Sequence, residues 1–374
     1  MLDRLLHKPI LKNLFKGKVI LLLGPRQVGK TTLLKKIAEN FPQKHLWLNA
    51  DESIVREKLS DPNSARLKRL AGKNKIIFID EAHRVENIGL TLKIFTDTLK
   101  KVQVVATGSS AFELSDKIKE PLTGRKFEYH LFPISSEEFI GNHNEIEEEK
   151  NLENRILYGS YPEVLNNHGN EKNVLTNIAD SFLYKDLFAL EKVKKPALLE
   201  KLLRALALQV GQEVSYNELG QLIGADKETI ERYMFLLEQT FVIFRLSSLS
   251  RNVRNELKKS KKIFFYDNGI RNSLISNFNP LSLRQDKGQL WENFLVSERQ
   301  KFLHYHQIHC NCYFWRTSQQ QEIDYIEEMD GKLTAYEFKY SPKQKAKMPK
   351  TFSSAYPDSK FYLINTGNYL DFLL

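Results

Sequence analysis

The sequence predicts an α/β fold whose first part is a doubly wound parallel sheet and whose second part holds further domains. The chain has 374 residues, which exceeds one compact core and indicates two or three domains. Apolar, strand-like runs in its first third are separated by stretches long enough for crossover helices. These runs occupy residues 19–23, 45–50, 76–80, 102–107 and 126–132. The first run, rich in Val, Ile and Leu, is typical of a strand buried on both faces.

The composition is that of a soluble globular protein. Hydrophobic residues make up 41% of the chain and charged residues 27%. The start, MLDRLLHKPI, lacks the apolar core of a signal peptide, and no apolar run reaches the roughly 18 residues that a membrane span requires. The two cysteines, Cys310 and Cys312, exclude a disulfide framework. We therefore expect a cytoplasmic protein without a membrane partner.

The segment after the first strand has the composition of a phosphate-binding loop. It consists of Gly24, Pro25, Arg26, Gln27, Val28, Gly29, Lys30 and Thr31, and Thr32 follows in a helical pattern. Glycines permit backbone conformations that turn successive N–H groups toward phosphate oxygens, and the helix adds its positive N-terminal end. Lys30 is expected on the β and γ phosphates and the Thr31 hydroxyl on Mg²⁺. Residues 24–32 are thus predicted to bind a nucleoside triphosphate.

Polar residues end the third and fourth predicted strands. Asp80 and Glu81 close the run IIFIDE; Asp80 would hold Mg²⁺ and Glu81 would polarise the water that attacks the γ phosphate. The fourth run ends in VVATGSS, which places Thr107 and Ser109 at the same sheet edge. Ser109 is the expected sensor of the γ phosphate, and the alternative for it is a plain turn.

The strings GPRQVGKTT, FIDEAHRV, ATGSSAFEL and LTGR resemble the prokaryotic AAA+ ATPases that carry a DUF4143-type C-terminal region. The resemblance covers nearly the whole chain and implies ATP as the nucleotide. It also implies that Arg125, just before the fifth strand, reaches the nucleotide of a neighbouring subunit in a homo-oligomer, where a guanidinium would neutralise transition-state charge. The alternative is a surface Arg125 that pairs with Glu128.

The middle of the chain reads as helical and then as a helix-turn-helix. Residues 197–245 show three helical segments and a strand that could begin a wing, and Asp226 can cap the third helix. That helix would turn Lys227, Thr229 and Arg232 toward a DNA groove. The net charge of +10 and the basic run at 251–262 favour DNA, through a basic surface. Such units serve equally as protein spacers, and nearby glutamates argue against base readout.

The last hundred residues carry a second constellation of charged residues. Two strand patterns flank the turn Asp330-Gly331, with Asp324 in the first and Glu337 and Lys339 in the second. The two acids can hold Mg²⁺, and Lys339 can position water beside a phosphodiester. The arrangement resembles the PD-(D/E)XK nuclease motif, in which Glu292 matches a metal-binding acid of the first helix. The alternative is a retained fold with an ion pair and no catalysis, since no proline precedes Asp324.

We expect four segments with these boundaries: a P-loop AAA+ core at 1–133, a helical lid at 134–196, a winged-helix-like domain at 197–255 and an α/β PD-(D/E)XK nuclease-like domain at 256–374. The favoured function is an ATP-hydrolysing protein coupled to DNA binding or processing. The alternative is an ATP-dependent switch that assembles with a protein partner and whose nuclease-like domain is inactive.

Overall fold

The structure is a computed structural model that describes residues 2–42, 44–108, 122–182, 195–250 and 261–374. The chain divides into two compact units. The N-terminal unit comprises Met1–Ile134, Phe182–Leu190 and Gln239–Phe241, and the C-terminal unit comprises Ser135–Ser181, Glu191–Glu238 and Val242–Leu374. Within the described residues, no helix is long and apolar enough to cross a membrane. The predicted boundaries at 196 and 255 stay predictions.

The described residues of the N-terminal unit form a parallel sheet of five strands in the order β2-β3-β4-β1-β5. The strands are β1 (Val19–Leu23), β2 (His45–Asn49), β3 (Ile76–Asp80), β4 (Gln103–Gly108) and β5 (Lys126–His130). Every residue of β1 and β3 is buried, because helices cover both faces of such a sheet. All five predicted strands and the doubly wound α/β fold class are confirmed.

One helix precedes β1, and the other described helices of this unit lie between its strands. They are α1 (His7–Asn13), α2 (Lys30–Ala38), α3 (Ser53–Ser60), α4 (Ser64–Ala71) and α5 (Ile88–Thr98), with a 3₁₀ turn at Ala82–Arg84. Helix α2 buries Leu33, Leu34 and Ile37, which recur at the helical period. Its first residue is Lys30, so the phosphate-loop lysine stands at a helix N-terminus directly behind β1.

The C-terminal unit contains most of the helices. They are α6 (Ser136–Asn142), α7 (Glu145–Tyr158), α8 (Pro162–Leu165), α9 (Glu171–Phe182), α10 (Pro196–Leu208), α11 (Tyr216–Ile223), α12 (Lys227–Gln239), α13 (Asn268–Leu274), α14 (Lys287–Tyr305), α15 (Lys350–Ala355) and α16 (Tyr369–Leu373). The predicted cap of α12 is confirmed, because Asp226 Oδ1 accepts a hydrogen bond from the Thr229 N–H at 2.7 Å.

A mixed sheet runs through the C-terminal unit in the order β12-β11-β10-β9-β7-β8-β6. Its strands are β6 (Glu213–Val214), β7 (Ile243–Ser248), β8 (Lys261–Phe265), β9 (Asn311–Arg316), β10 (Glu322–Met329), β11 (Lys332–Phe338) and β12 (Lys360–Ile364). The strand expected to begin a wing is β7, which pairs with β8 and β9 inside this sheet. The helix-turn-helix segment and the nuclease-like strands therefore share one sheet.

Helix α14 lies against this sheet and forms the core of the unit. Its residues Leu290, Trp291 and Leu295 are fully buried and belong to an apolar cluster with Phe314 of β9 and Tyr325 of β10. The turn between β10 and β11 has positive φ at both Asp330 and Gly331, as a tight hairpin turn requires. The predicted hairpin is confirmed, and it places Asp324 and Glu337 on neighbouring strands.

Candidate functional site

The loop between β1 and α2 reverses the chain tightly. Gly24 has φ 150° and a Cβ there would lie 2.1 Å from the Leu131 carbonyl oxygen, so a side chain cannot be accommodated. Gly29 has φ 96° and is the residue before α2. Gln27 also adopts a positive φ, of 61°. The backbone shape that the two glycines were predicted to permit is present.

Lys30 lies over this loop. Its side chain is 6% exposed, and its Nζ donates hydrogen bonds to the carbonyl oxygens of Gly24 at 2.7 Å and Pro25 at 2.8 Å. A buried ammonium held by neutral carbonyls is attracted strongly to an anion, because the interior screens charge weakly. The loop thus presents a positive charge together with the N-terminal end of α2.

A hydroxyl and carboxylate network joins the loop to the ends of β3 and β4. The Thr31 hydroxyl donates to Asp80 Oδ2 at 2.9 Å, and the buried Thr107 hydroxyl donates to Asp80 Oδ1 at 2.5 Å. Thr107 also accepts the Glu81 backbone N–H at 3.1 Å. Both carboxylate oxygens of Asp80 are therefore oriented, and the backbone of Glu81 is tied to the same network. Thr31 and Asp80 supply the oxygen ligands that Mg²⁺ prefers, so the residues fit this ion.

The catalytic candidate Glu81 has an unusual backbone and a histidine neighbour. Its φ of 53° lies in the left-handed region, which turns the chain sharply after β3. His83 Nδ1 lies 3.3 Å from Glu81 Oε2. Burial, together with Lys30 and Arg84, lowers the pKa of His83 to about 3, so the imidazole is neutral at physiological pH. A neutral imidazole at that distance leaves the negative charge of the Glu81 carboxylate in place.

The predicted residues of the C-terminal site line one pocket of about 740 Å³. Glu292 reaches it from α14, Asp324 from β10, and Glu337 and Lys339 from the end of β11. Asp324 Oδ2 accepts the Phe338 backbone N–H at 2.8 Å, and Lys339 Nζ donates to Glu337 Oε1 at 2.7 Å. The structure thus brings these residues, which are far apart in the chain, to one cavity.

Burial and mutual repulsion perturb the carboxylates of this pocket. Burial raises the pKa of Asp324, and burial together with Asp324 raises the pKa of Glu337. Glu292 is affected in the same direction, and its pKa is raised to about 8. Clustered acids with raised pKa values are typical of functional sites, since a cation or proton must neutralise them.

Lys262 enters the same pocket from β8. It is 2% exposed, and its Nζ lies 2.9 Å from Glu292 Oε1 and 2.5 Å from Glu322 Oε1. The sequence predicted that Lys262 belongs to a basic surface. This prediction is wrong for Lys262, because its strand β8 lies between β6 and β7 and the residue is buried. Residues 251–260 of that run lie outside the described residues. Among the residues that are described, no group of three His, Cys, Asp or Glu is placed to hold a metal ion.

Comparison with known families divides the chain into three parts. Residues 16–140 match an AAA domain, residues 149–281 match a domain of unknown function (DUF8612), and residues 287–372 match another, DUF4143. The chain thus resembles an AAA domain in its first part and DUF4143 in its last part, which confirms the resemblance drawn from the motifs. The match to an AAA domain suggests nucleotide hydrolysis.

Similar proteins align with two thirds or more of the chain. An uncharacterised protein of Mycobacterium tuberculosis is 26% identical over 334 residues, which are 88% of this chain and 71% of that protein. An uncharacterised protein of Haemophilus influenzae is 27% identical over 276 residues, 67% of this chain and 68% of that one. Among solved structures, the RuvB Holliday junction branch migration motor of Thermotoga maritima aligns at 17% identity and a TM-score of 0.34, over 69% of this chain and 95% of that chain.

Two residues predicted near the nucleotide of the AAA domain have different outcomes. Ser109 lies outside the described residues, so its sensor role stays a prediction. Arg125 Nε donates to Asp97 Oδ1 at 2.8 Å, whereas Glu128 pairs with Lys126 and His130. Arg125 is thus a surface residue in an ion pair, as in the alternative, but its partner is Asp97 instead of Glu128. Its role across a subunit boundary stays a prediction.

Sequence reasoning missed several residues of the AAA domain. Arg4, 9% exposed, donates to the carbonyl oxygens of Val28 at 2.7 Å and Phe132 at 2.5 Å, which braces the phosphate loop. Thr107 was placed at the correct sheet edge, but its bond to Asp80 was not foreseen. His83 follows the acidic pair in FIDEAH, and its position two residues after Glu81 was the available signal.

Proposed function

We propose that the AAA domain binds ATP with Mg²⁺ and hydrolyses it. The observation that carries this proposal is the network in which Asp80 accepts the hydroxyls of Thr31 and Thr107, beside the Lys30 ammonium. Thr31 and Asp80 would hold Mg²⁺, which supplies positive charge to the β and γ phosphate oxygens when bound. Pro25, Arg26, Gln27, Val28 and Thr32 would complete the loop around the phosphates.

The roles of the protein groups follow from their positions. Lys30 would exchange the Gly24 and Pro25 carbonyls for phosphate oxygens, because anions attract an ammonium more strongly than carbonyls do. The Glu81 carboxylate would accept a proton from the attacking water, and His83 would hold that carboxylate in place. Thr107 would keep the backbone of Glu81 in the orientation that points its side chain at the reacting phosphate.

Glu81→Gln tests the hydrolytic role. The amide keeps the shape but cannot accept a proton, so kcat should fall by about 10² or more while ATP still binds. Glu86→Gln is the matched control, because Glu86 is exposed and lies five residues further along the chain. Phosphate release and ATP binding are measured for both variants. Wild-type turnover in Glu81→Gln would remove Glu81 from the mechanism.

We further propose that the DUF4143 domain binds DNA and cleaves it with a divalent cation. Asp324 and Glu337 offer carboxylate oxygens in one pocket, and Lys339 stands beside Glu337. Such a cation supplies charge to the scissile phosphate when bound. Lys339 would hold a water molecule by hydrogen bonding and lower its pKa through its charge. Glu292, which contacts Lys262, remains a proposed further ligand.

Cleavage of plasmid and linear DNA with Mg²⁺ or Mn²⁺ tests this second activity. Asp324→Asn and Lys339→Ala should abolish cleavage and leave the ATPase of the AAA domain intact. Asp358→Asn and Lys332→Ala are matched controls, because both residues are exposed on the same domain. Equal nicking by all four variants would identify a contaminating nuclease and remove this proposal.

The second candidate function is a nucleotide-dependent switch that binds a protein partner. It is favoured by the helix-turn-helix surface, where Lys227 Nζ lies 3.6 Å from Glu231 and the Thr229 hydroxyl donates to Asp226. Acidic side chains thus pair with Lys227 and Thr229, which were expected to face DNA. ATPase assays with single-stranded and duplex DNA separate the two functions, because phosphate contacts make DNA binding weaken steeply with salt. Absence of both binding at low salt and stimulation would favour the switch.

A further inference from the structure

The pocket of the DUF4143 domain contains a buried cation of the protein's own. Lys262 is 2% exposed, and its Nζ contacts one oxygen of Glu292 and one of Glu322. The ammonium also lies 5.5 Å from the centre of the Phe314 ring. Lys262 is therefore a buried, charged part of the pocket wall, held between two acidic side chains.

The charges of the pocket form two groups. Among the described residues that line it are four carboxylates, those of Glu292, Glu322, Asp324 and Glu337. Lys262 contacts Glu292 and Glu322, whereas Lys339 contacts Glu337 and the Phe338 N–H contacts Asp324. Glu292 and Glu322 thus share an ammonium in the way that two acids share a metal ion.

A fixed ammonium excludes a metal ion from the same place. Two-metal sites in phosphodiester-cleaving enzymes hold their ions about 3.5–4 Å apart, each bound by carboxylates. An ion at Glu292 and Glu322 would have to displace the ammonium of Lys262, which is buried against both acids. Asp324 and Glu337 form no hydrogen bond with Lys262, so the side chain that an ion there must displace is Lys339, which is one-third exposed and can turn away.

We propose that Lys262 takes the place of a second divalent cation, so that the pocket binds a single metal ion at Asp324 and Glu337. This inference rests on the proposed metal site at Asp324 and Glu337, and it assigns Glu292 to the Lys262 ammonium instead of to the metal ion. In that arrangement the ammonium offsets one of the two negative charges of Glu292 and Glu322 whether or not a metal ion is bound. Removing the charge of Lys262 should free Glu292 and one oxygen of Glu322, whose other oxygen lies 3.8 Å from Arg316 Nε, and create a second ion site.

The test counts Mn²⁺ ions bound per chain by equilibrium dialysis with electron paramagnetic resonance. All proteins carry Asp80→Asn, which removes the carboxylate of the proposed metal site in the AAA domain. We expect one ion in this parent and two in Lys262→Met, whose side chain has similar length and no charge. Lys261→Met is the matched control and should bind one ion, because adjacent strand residues point to opposite faces of the sheet. Lys262→Met with Glu292→Gln should also return to one.

Each count decides a different statement. Two ions in the parent, or only one in Lys262→Met, would overturn the inference about Lys262. Either result would still support the proposed metal site, because the pocket would bind at least one ion. No ion in the parent would overturn the proposed metal site and the inference with it. Lys262→Gln is the second variant in case Lys262→Met does not fold, since its amide can still donate to the two carboxylates. In either variant, Mn²⁺ should raise the melting temperature more than in the parent, because two ions bind the folded state.

Discussion

Replacing Thr107 by valine removes one hydroxyl at the centre of the proposed nucleotide site. That hydroxyl donates to Asp80 Oδ1 at 2.5 Å and accepts the Glu81 N–H at 3.1 Å, and Thr107 has no exposed surface. Valine has the same branched shape but can form neither bond. The substitution therefore changes chemistry with little change in packing volume.

The magnitude follows from the two bonds that are lost. A hydrogen bond to a charged group contributes about 1.5–3 kcal/mol, and a buried N–H left unpaired costs about 1–3 kcal/mol. Because one hydroxyl serves both bonds, the terms do not simply add, and we expect the free energy of unfolding of the N-terminal unit to fall by about 3 kcal/mol. About 1 kcal/mol of this loss comes from the bond that positions the Glu81 backbone. If that amount is added to the barrier for hydrolysis, kcat should fall about five- to tenfold.

Steady-state ATP hydrolysis at saturating Mg²⁺ and thermal unfolding measure the two effects. Thr98→Val is the matched control, because the exposed Thr98 hydroxyl donates to the Ile94 carbonyl of its own helix and touches no site residue. The control should match wild type in both assays. A wild-type kcat in Thr107→Val would refute the positioning role even if the melting temperature fell, and unchanged values in both assays would refute the network as a whole.

Three further predictions concern the loop, the subunit boundary and an ion-pair cluster. Gly24→Ala should abolish ATP binding in a fluorescent-nucleotide titration, because its Cβ would overlap a backbone carbonyl; normal affinity would show that the loop can shift. Arg125→Ala should lower kcat by about 10³ and remove any rise of specific activity with protein concentration; full activity would exclude the finger role. Asp286 accepts hydrogen bonds from the buried Arg271 and Arg284. Although burial opposes the shift, these arginines lower the pKa of Asp286 to about 2. The contribution of ionised Asp286 to folding stability is therefore present above about pH 4 and lost as the pH falls through 2. Asp286→Asn should lower the free energy of unfolding by about 2 kcal/mol at pH 7, after allowance for the partial exposure of Asp286, as measured by chemical denaturation. The difference from wild type should vanish toward pH 2. A difference that stays constant with pH would contradict the assignment.

The sequence determined the phosphate loop and the parallel sheet of the N-terminal unit. Both are encoded by neighbouring residues, since a continuous apolar run, a glycine turn and a helical pattern each fit within about ten positions. The same holds for the turn at Asp330 and Gly331 and for the cap at Asp226. These features depend on local backbone preferences, and the structure has them where the patterns predicted them.

Only the tertiary structure decided which polar groups meet. Thr107 faces Asp80 because β4 lies beside β3 in a register that pairs Ala106 with Ile79. Lys262 is buried in the C-terminal pocket because β8 lies between β6 and β7, whereas in the sequence it ends a run of basic residues that suggested a surface. Strand order and register depend on contacts between distant segments. A local sequence pattern can therefore single out such residues, but it cannot predict which groups they contact or how deeply they are buried.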